Sequence, residues 1–343
     1  MKLGILKGFN DFEEFTKGSE FYAKSCEELG IDYEIIDFTS SDWIELIKSS
    51  DCYGFLVRTP CNIQERKSIF DERLYFLNKV MKKPIYPSFD EIFIYENKRN
   101  MSTWLKLFGF PHAETKVFMT KEESLDFINK TAFPLVFKTN IGSAASGVKI
   151  VKSKGQAKRI INNIFGIRPS LALGNLHFLK KFGLKIFPNI GEAQKHYVII
   201  QEYKDVKWEW RLIKVGKSYF GQQKLLKGEF CSGSGLVGFV KPPDELLFML
   251  KDICDKGNFD SMAVDILETK DGEYFVNELQ TTFGYEKEDS EMYIDGIPGR
   301  FTFQNGEFVF EEGKFNKYGS SLLRVESFVQ KLQELDKINN FNK

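Results

Sequence analysis

The chain has 343 residues, 42% of them hydrophobic and 28% charged, which excludes a disordered polypeptide and leaves room for two or three domains. Its 48 basic and 48 acidic side chains cancel, which excludes a protein built for bulk electrostatic binding to nucleic acid or to an anionic membrane, although a local basic groove is still allowed. Five scattered cysteines without C-x-x-C spacing, no run of 18 apolar residues, and a leading apolar run too short for a signal peptide give a cytoplasmic expectation, with no disulfide framework, no zinc knuckle and no membrane span.

Residues 1–95 alternate short apolar runs with helical patterns. Leu3–Leu6 reads as a strand, Glu20–Leu29 as a helix closed by Gly30, Tyr33–Phe38 as a strand, Asp42–Lys48 as a helix and Cys52–Val57 as a third strand. Strand–helix–strand repetition implies a small parallel-sheet α/β domain, and no glycine fingerprint follows its first strand. A helix over about Asn97–Phe108, stopped by Gly109 and Pro111, opens a second α/β stretch. It holds strands at Thr115–Met119 and Leu135–Lys138, a helix at Glu122–Asn129, and a small-residue loop, Ile141–Gly147, leading into Val148–Val151. Residues 160–195 carry no readable pattern. From Tyr197 the chain becomes strand-rich, with runs at Val198–Tyr203, Trp208–Val215 and Ser218–Leu225, a glycine-rich loop over Gly228–Gly238, a helix at Asp244–Asp255, and a closing helix near Ser320–Leu335. The expected division is 1–95, 96–195 and 196–343.

The most informative segment is Met262–Gln280. Asp271-Gly272 between two alternating runs is a strong hairpin signal. A two-residue loop there puts Asp265 opposite Glu278 and Ala263 opposite Gln280, and leaves Val264, Ile266, Phe275, Asn277 and Leu279 on a mostly apolar face. Facing carboxylates repel. A cation between them turns that cost into a binding site, and oxygen-only ligands suit Mg²⁺; a solvated edge with both carboxylates in water is the alternative.

Phosphates need backbone N–H groups, cations and a backbone bare enough to approach. Lys138, at the end of an apolar strand, and the loop through Gly142, Ser143 and Gly147 offer all three. No G-x-x-x-x-G-K-[ST] occurs, so a P-loop is excluded. Gly233–Gly238 fits G-x-G-x-x-G, but Pro242-Pro243 follows and the helix starts only after it, which speaks against a dinucleotide fold.

Taken in order, Lys98, Lys138 with its glycine loop, Gln201-Glu202-Tyr203, Glu209-x-Arg211 and Asp265…Glu278-x-Gln280 resemble the motifs of ATP-grasp enzymes, with the nearest look to glutathione-synthase-like and ribosomal-protein glutamate ligases, over roughly residues 96–290. The resemblance implies an N-terminal parallel-sheet α/β domain followed by a two-lobed ATP-grasp fold. It implies that Lys98 and Lys138 hold ATP phosphates under the loop of Gly142, Ser143 and Gly147, and that Gln201, Glu202 and Tyr203 form the hinge beside the adenine. Glu209 would take the ribose hydroxyls, with Ser232 a further nucleotide contact. Arg211 and Lys224 would be the catalytic cations facing the transferred phosphate, and Asp265, Glu278 and Gln280 would ligate Mg²⁺ or Mn²⁺.

Two positions depart from the family: Gln280 stands for its usual Asn, and Lys224 for an arginine, and one ammonium cannot make a bidentate clamp. The implied activity is an ADP-forming ligase joining a small-molecule carboxylate to an amine through an acyl phosphate. The rival readings are a small-molecule kinase on the same site and a non-catalytic ATP-binding regulator. No nucleic-acid or membrane partner is expected; self-association into a homo-oligomer is left open.

Overall fold

The computed structural model describes residues 1–8, 18–61, 63–142, 147–167, 194–228, 231, 236–283 and 291–341. In chain order these form β1 (Lys2–Lys7), α1 (Gly18–Glu28), β2 (Asp32–Asp37), α2 (Trp43–Ser49), β3 (Gly54–Val57), α3 (Gln64–Tyr75) with a π-turn over Phe76–Val80, β4 (Ile85–Tyr86) and α4 (Phe89–Ile94). Then come α5 (Lys98–Phe108), β5 (Thr115–Phe118), α6 (Lys121–Lys130), β6 (Leu135–Lys138), β7 (Val148–Val151), α7 (Lys154–Ile164) and β8 (Val198–Glu202). The last part holds β9 (Val206–Val215), β10 (Ser218–Lys224), β11 (Val237–Gly238), α8 (Asp244–Gly257), β12 (Ser261–Thr269), β13 (Tyr274–Gln280), β14 (Tyr293–Ile294), β15 (Ile297–Gln304), β16 (Glu307–Glu312) and α9 (Ser321–Phe341).

Three sheets organise these elements. The first is parallel, in the order β2-β1-β3-β4. Its central strands are buried along most of their length, as near-continuous apolar runs require in a sheet covered on both faces. The second is antiparallel, β5-β8-β6-β7. The third has the path β13-β12-β9-β10-β15-β14, with β11 added to β10 and β16 to β15. The sequence boundary at 195/196 cuts β8 from its own sheet: the chain changes sheets between Glu202 and Val206.

The terminal helix α9 does not stay with the third sheet either. Val325, Phe328 and Leu332 pack into one core with Leu3, Ile5, Tyr22 and Cys26 of the first domain. Gly54 makes room for this: a Cβ there would lie 2.6 Å from the Phe328 ring. No helix among the described residues is long and apolar enough to cross a membrane.

Candidate active site

The hairpin β12–β13 reaches its expected register by an unexpected route. Thr269 N–H donates to Glu273 O, and Gly272 N–H donates to Thr269 O with Gly272 at φ +82°, so the loop has three residues, 270–272, where two were expected. Near the turn Glu268, Leu267 and Ile266 therefore face Tyr274, Phe275 and Val276, one residue off. A bulge follows between Ile266 and Asp265, with Asn277 as the extra residue, and beyond it Asp265 faces Glu278 and Ala263 faces Gln280. Two departures cancel, and Asp265 and Glu278 stand opposite each other in the register that the sequence suggested. Asn277, however, does not join the apolar face. The bulge turns it into the site, where its Oδ1 accepts from Lys138 Nζ at 3.0 Å and its Nδ2 donates to Glu209 Oε2 at 2.9 Å.

The expected repulsion is relieved by protein cations. β9 sets Arg211 beside Asp265, and β10 sets Lys224 beside Glu209. Arg211 grips the Asp265 carboxylate with two bonds, Nε to Oδ1 at 2.8 Å and Nη2 to Oδ2 at 2.7 Å. Lys224 Nζ bridges Asp265 Oδ2 at 2.6 Å and Glu209 Oε1 at 2.5 Å. Burial pushes the Asp265 carboxyl up, but Arg211 and Lys224 outweigh it and hold the group at about 2. Glu209, equally buried, is pushed up by desolvation and by the Asp265 charge against the pull of Lys224. Gln280 is engaged as well: its Oε1 accepts from Arg211 at 3.0 Å and its Nε2 donates to Glu278 at 2.7 Å. Its amide thus orders a guanidinium and a carboxylate.

Glu278 is the carboxylate left partly open, 16% exposed, with Lys98 Nζ 4.0 Å away. The donor chemistry of this corner fits a hard divalent cation: two carboxylates on adjacent strands, with Asp265 keeping acceptor capacity beyond its bonds to Arg211 and Lys224.

The second sheet supplies the opposite wall. Lys138 ends β6, is 5% exposed, and is lowered to about 8 by burial. Lys98 sits in the first turn of α5, whose N-cap Asn97 accepts from Asn100 N–H. Lys98 Nζ donates to Gly142 O at 3.0 Å, while Gly142 N–H donates to Glu96 Oε2 at 3.1 Å. Gly142 sits at φ +136°, a conformation that favours glycine, and a Cβ on Gly147 would fall 1.8 Å from Thr139 Oγ1. Both ends of the small-residue loop are therefore pinned. Ser143 and Ser232 lie outside the described residues.

Between the walls runs a cleft lined on one side by Val136, Lys138, Val148 and Ile150, at its back by Gln201–Lys204, and on the other side by Glu209, Leu267, Asn277 and Glu278. Apolar flanks with polar groups at one end suit a flat base attached to a charged tail. Glu202 and Tyr203 both line this back wall; the Glu202 side chain is half exposed and accepts from Lys204 Nζ at 2.8 Å. Gln201 Nε2 donates to Thr115 Oγ1 at 2.8 Å. Cys231 lies in the cleft wall with its thiol pushed up to about 12 by burial and by Glu209.

The structure thus brings Lys98, Lys138, Glu209, Arg211, Lys224, Asp265, Glu278 and Gln280 together. Sequence reasoning missed Asn277 and Glu96. Only recognition of the three-residue loop, and hence of a compensating bulge, would have found the former.

No protein-family model matches the sequence, and no curated protein matches it by sequence. Solved structures do match. D-alanyl-alanine synthetase A from Vibrio cholerae aligns with a TM-score of 0.56 at 10% identity over 82% of this chain and 88% of that one. A RimK-domain ATP-grasp protein from Sphaerobacter thermophilus aligns at 0.53 and 15%, over 82% and 92%. The macrocyclase MdnC from Microcystis aeruginosa, solved with its precursor peptide MdnA, aligns at 0.52 and 13%, over 83% and 92%. The parallel-sheet domain and the two further lobes around the Lys138–Glu278 cleft make an ATP-grasp fold.

Proposed function

We propose that the protein is an ATP-dependent ligase that joins a carboxylate to an amine and releases ADP and phosphate. The observation that carries this is one contact network at the Lys138–Glu278 cleft, in which Lys98 stands 4.0 Å from Glu278, Lys138 and Glu209 meet through Asn277, and Arg211 and Lys224 hold Asp265. The neighbours named above are a synthetase, an ATP-grasp protein and a peptide macrocyclase, which supports this kind of reaction, and the peptide bound to MdnC makes peptides reasonable acceptors to test.

A carboxylate is a poor electrophile. Attack of its oxygen on the terminal phosphorus of ATP breaks the bond to ADP and gives an acyl phosphate. The amine nitrogen then attacks the carbonyl carbon, phosphate leaves, and the amine proton passes to solvent. The chain's task is to offset charge on the moving phosphoryl group. Lys98 and Lys138 approach it from the loop side, and the Arg211–Lys224 pair faces it from the sheet. Asp265 and Glu278 are the groups that would hold Mg²⁺ or Mn²⁺, which when bound supplies further neutralisation of phosphate charge. The hinge backbone at Glu202 and Tyr203 would meet the base, and Glu209 the ribose. We assign the reaction to the cytoplasm, in keeping with five unpaired cysteines.

The test is product analysis with Mg-ATP, pooled carboxylic acids including short peptides, and hydroxylamine. ADP together with a hydroxamate is the expected result. ADP without hydroxamate moves the assignment to a kinase, AMP contradicts an acyl phosphate, and binding of ATP without turnover in any pool favours a regulator.

A further inference from the structure

Asn277 carries a role that the motif order does not assign. It stands one residue before Glu278 in β13, where strict alternation would set it on the face opposite Glu278, away from the cleft. The bulge exists only at this point of β13, and what it accomplishes is the delivery of one carboxamide between two charged groups from different sheets. Lys138 belongs to the second sheet, Glu209 and Asn277 to the third.

Both ends of the amide are used in the sense that their chemistry allows. The oxygen accepts from an ammonium, and the nitrogen donates to a carboxylate. No other side chain of this size offers a donor and an acceptor at those two positions. An aspartate would set an oxygen against the Glu209 carboxylate, and a leucine would satisfy neither partner. Both partners are buried and need such a neighbour. Lys138 is 5% exposed, and Asn277 is the hydrogen-bond acceptor seen for its ammonium among the described residues. Glu209 is 1% exposed, with one oxygen on Lys224 and the other on Asn277. The carboxylate is thus fixed in orientation while each oxygen keeps acceptor capacity for a further hydroxyl.

We propose that Asn277 is a nucleotide-positioning residue: placed by the bulge between Lys138 and Glu209, it aligns a phosphate-binding ammonium and a ribose-binding carboxylate for the same bound nucleotide. The inference rests on the nucleotide reading of the cleft given above. It adds that discrimination of the sugar passes through Asn277, because Glu209 is oriented from the Asn277 side as well as from Lys224.

Asn277→Leu and Asn277→Asp test this, with ATP and 2′-deoxy-ATP as probes, calorimetric titration for affinity and thermal melting for the fold. The wild type is expected to bind ATP more tightly than 2′-deoxy-ATP. Each variant is expected to bind ATP about 10- to 100-fold more weakly, the loss of a hydrogen bond to a charged group, and to bind the two nucleotides nearly equally, while a cooperative melt shows that it is folded. Asn277→Asp keeps the shape and the acceptor for Lys138, so it reports even if the leucine variant folds poorly. Variants that keep the wild-type preference for ATP, or that lose affinity for both nucleotides by the same factor, overturn the role of Asn277 and leave the functional reading standing. A wild type that binds both nucleotides alike overturns it as well. A wild type that binds neither removes the functional reading itself.

Discussion

Two buried acids of this molecule, Asp71 and Asp265, respond to burial in opposite ways. Asp71 pairs with Lys67 one turn away on α3, and Lys67 also donates to Ile92 O. Burial dominates there: it raises the Asp71 carboxyl and lowers the Lys67 ammonium, and Asp71 Oδ1 is buried without a hydrogen-bond partner among the described residues. Asp265 is more deeply buried, yet its carboxyl is held at about 2. The difference lies in the donors. Asp71 has one flexible ammonium on a single oxygen, whereas Asp265 has a bidentate guanidinium and a second ammonium, all directed by neighbouring strands. Burial makes the neutral form the default, and only an excess of directed cations keeps a buried acid ionised. Asp265 has that excess and Asp71 does not.

Asp265→Asn should break this contrast most severely. It leaves Arg211 and Lys224 buried beside a neutral amide, a loss of about 3–5 kcal/mol by the usual cost of breaking a buried pair. Denaturant titration should show that loss, and ATP turnover should vanish with it. Unchanged stability would mean that the two cations find water or other partners, and that Asp265 is not the anchor of the cluster.

Glu91 sharpens the contrast, because it is a buried acid served by N–H donors without a cation. It accepts from Ser88, Asp260 and Ser261 N–H groups, yet burial still pushes it up to about 7. Its folded value lies above the ordinary 4.5. The stability it contributes is therefore fully present below about pH 4.5 and is lost as pH rises through 7, a change of about 3 kcal/mol. Denaturation midpoints measured from pH 4.5 to 8 should fall over that window, and Glu91→Gln should flatten the fall. An unflattened profile would assign the pH dependence to another group.

The smallest effect is expected from replacing the Asp71 pair as a unit. Lys67→Met with Asp71→Leu removes both charges and the orphaned oxygen together. Such exchanges are often neutral or stabilising by about 1–4 kcal/mol. A thermal melt should show no loss, and turnover in the cleft should be unchanged. Clear destabilisation would mean that the Lys67 bond to Ile92 O holds α3 against α4 more strongly than the charge balance suggests.

Much of the fold was legible because strands and helices here carry clean signals. Gly30 and Gly109 sit at positive φ where the sequence stops helices, and the apolar runs at Leu3 and Phe55 are the buried central strands. The carboxylate pairing of Asp265 with Glu278 was legible too, though for a partly wrong reason. Alternation counts residues and cannot see a bulge, so the loop length and the bulge at Asn277 were both missed and their errors cancelled. The protein cations around Asp265 were legible as residues but not as its partners, because strand order in the third sheet is not sequence order: β12 lies between β13 and β9. Glu96 was missed because its role depends on a loop 46 residues away.

The seat of α9 has a consequence for the order in which the chain acquires its shape. The face of the first sheet that carries Leu3, Ile5 and Leu56 is covered by Tyr22 and Cys26 of α1 and by Val325, Phe328 and Leu332 of α9, a helix that follows every strand of the three sheets in the chain. During synthesis that face has only its α1 cover while the strands of the other two sheets are already made. The core over Leu3, Ile5 and Leu56 is thus closed only once residues 325–332 have been made, so a nascent chain displays part of this apolar face while the later sheets form.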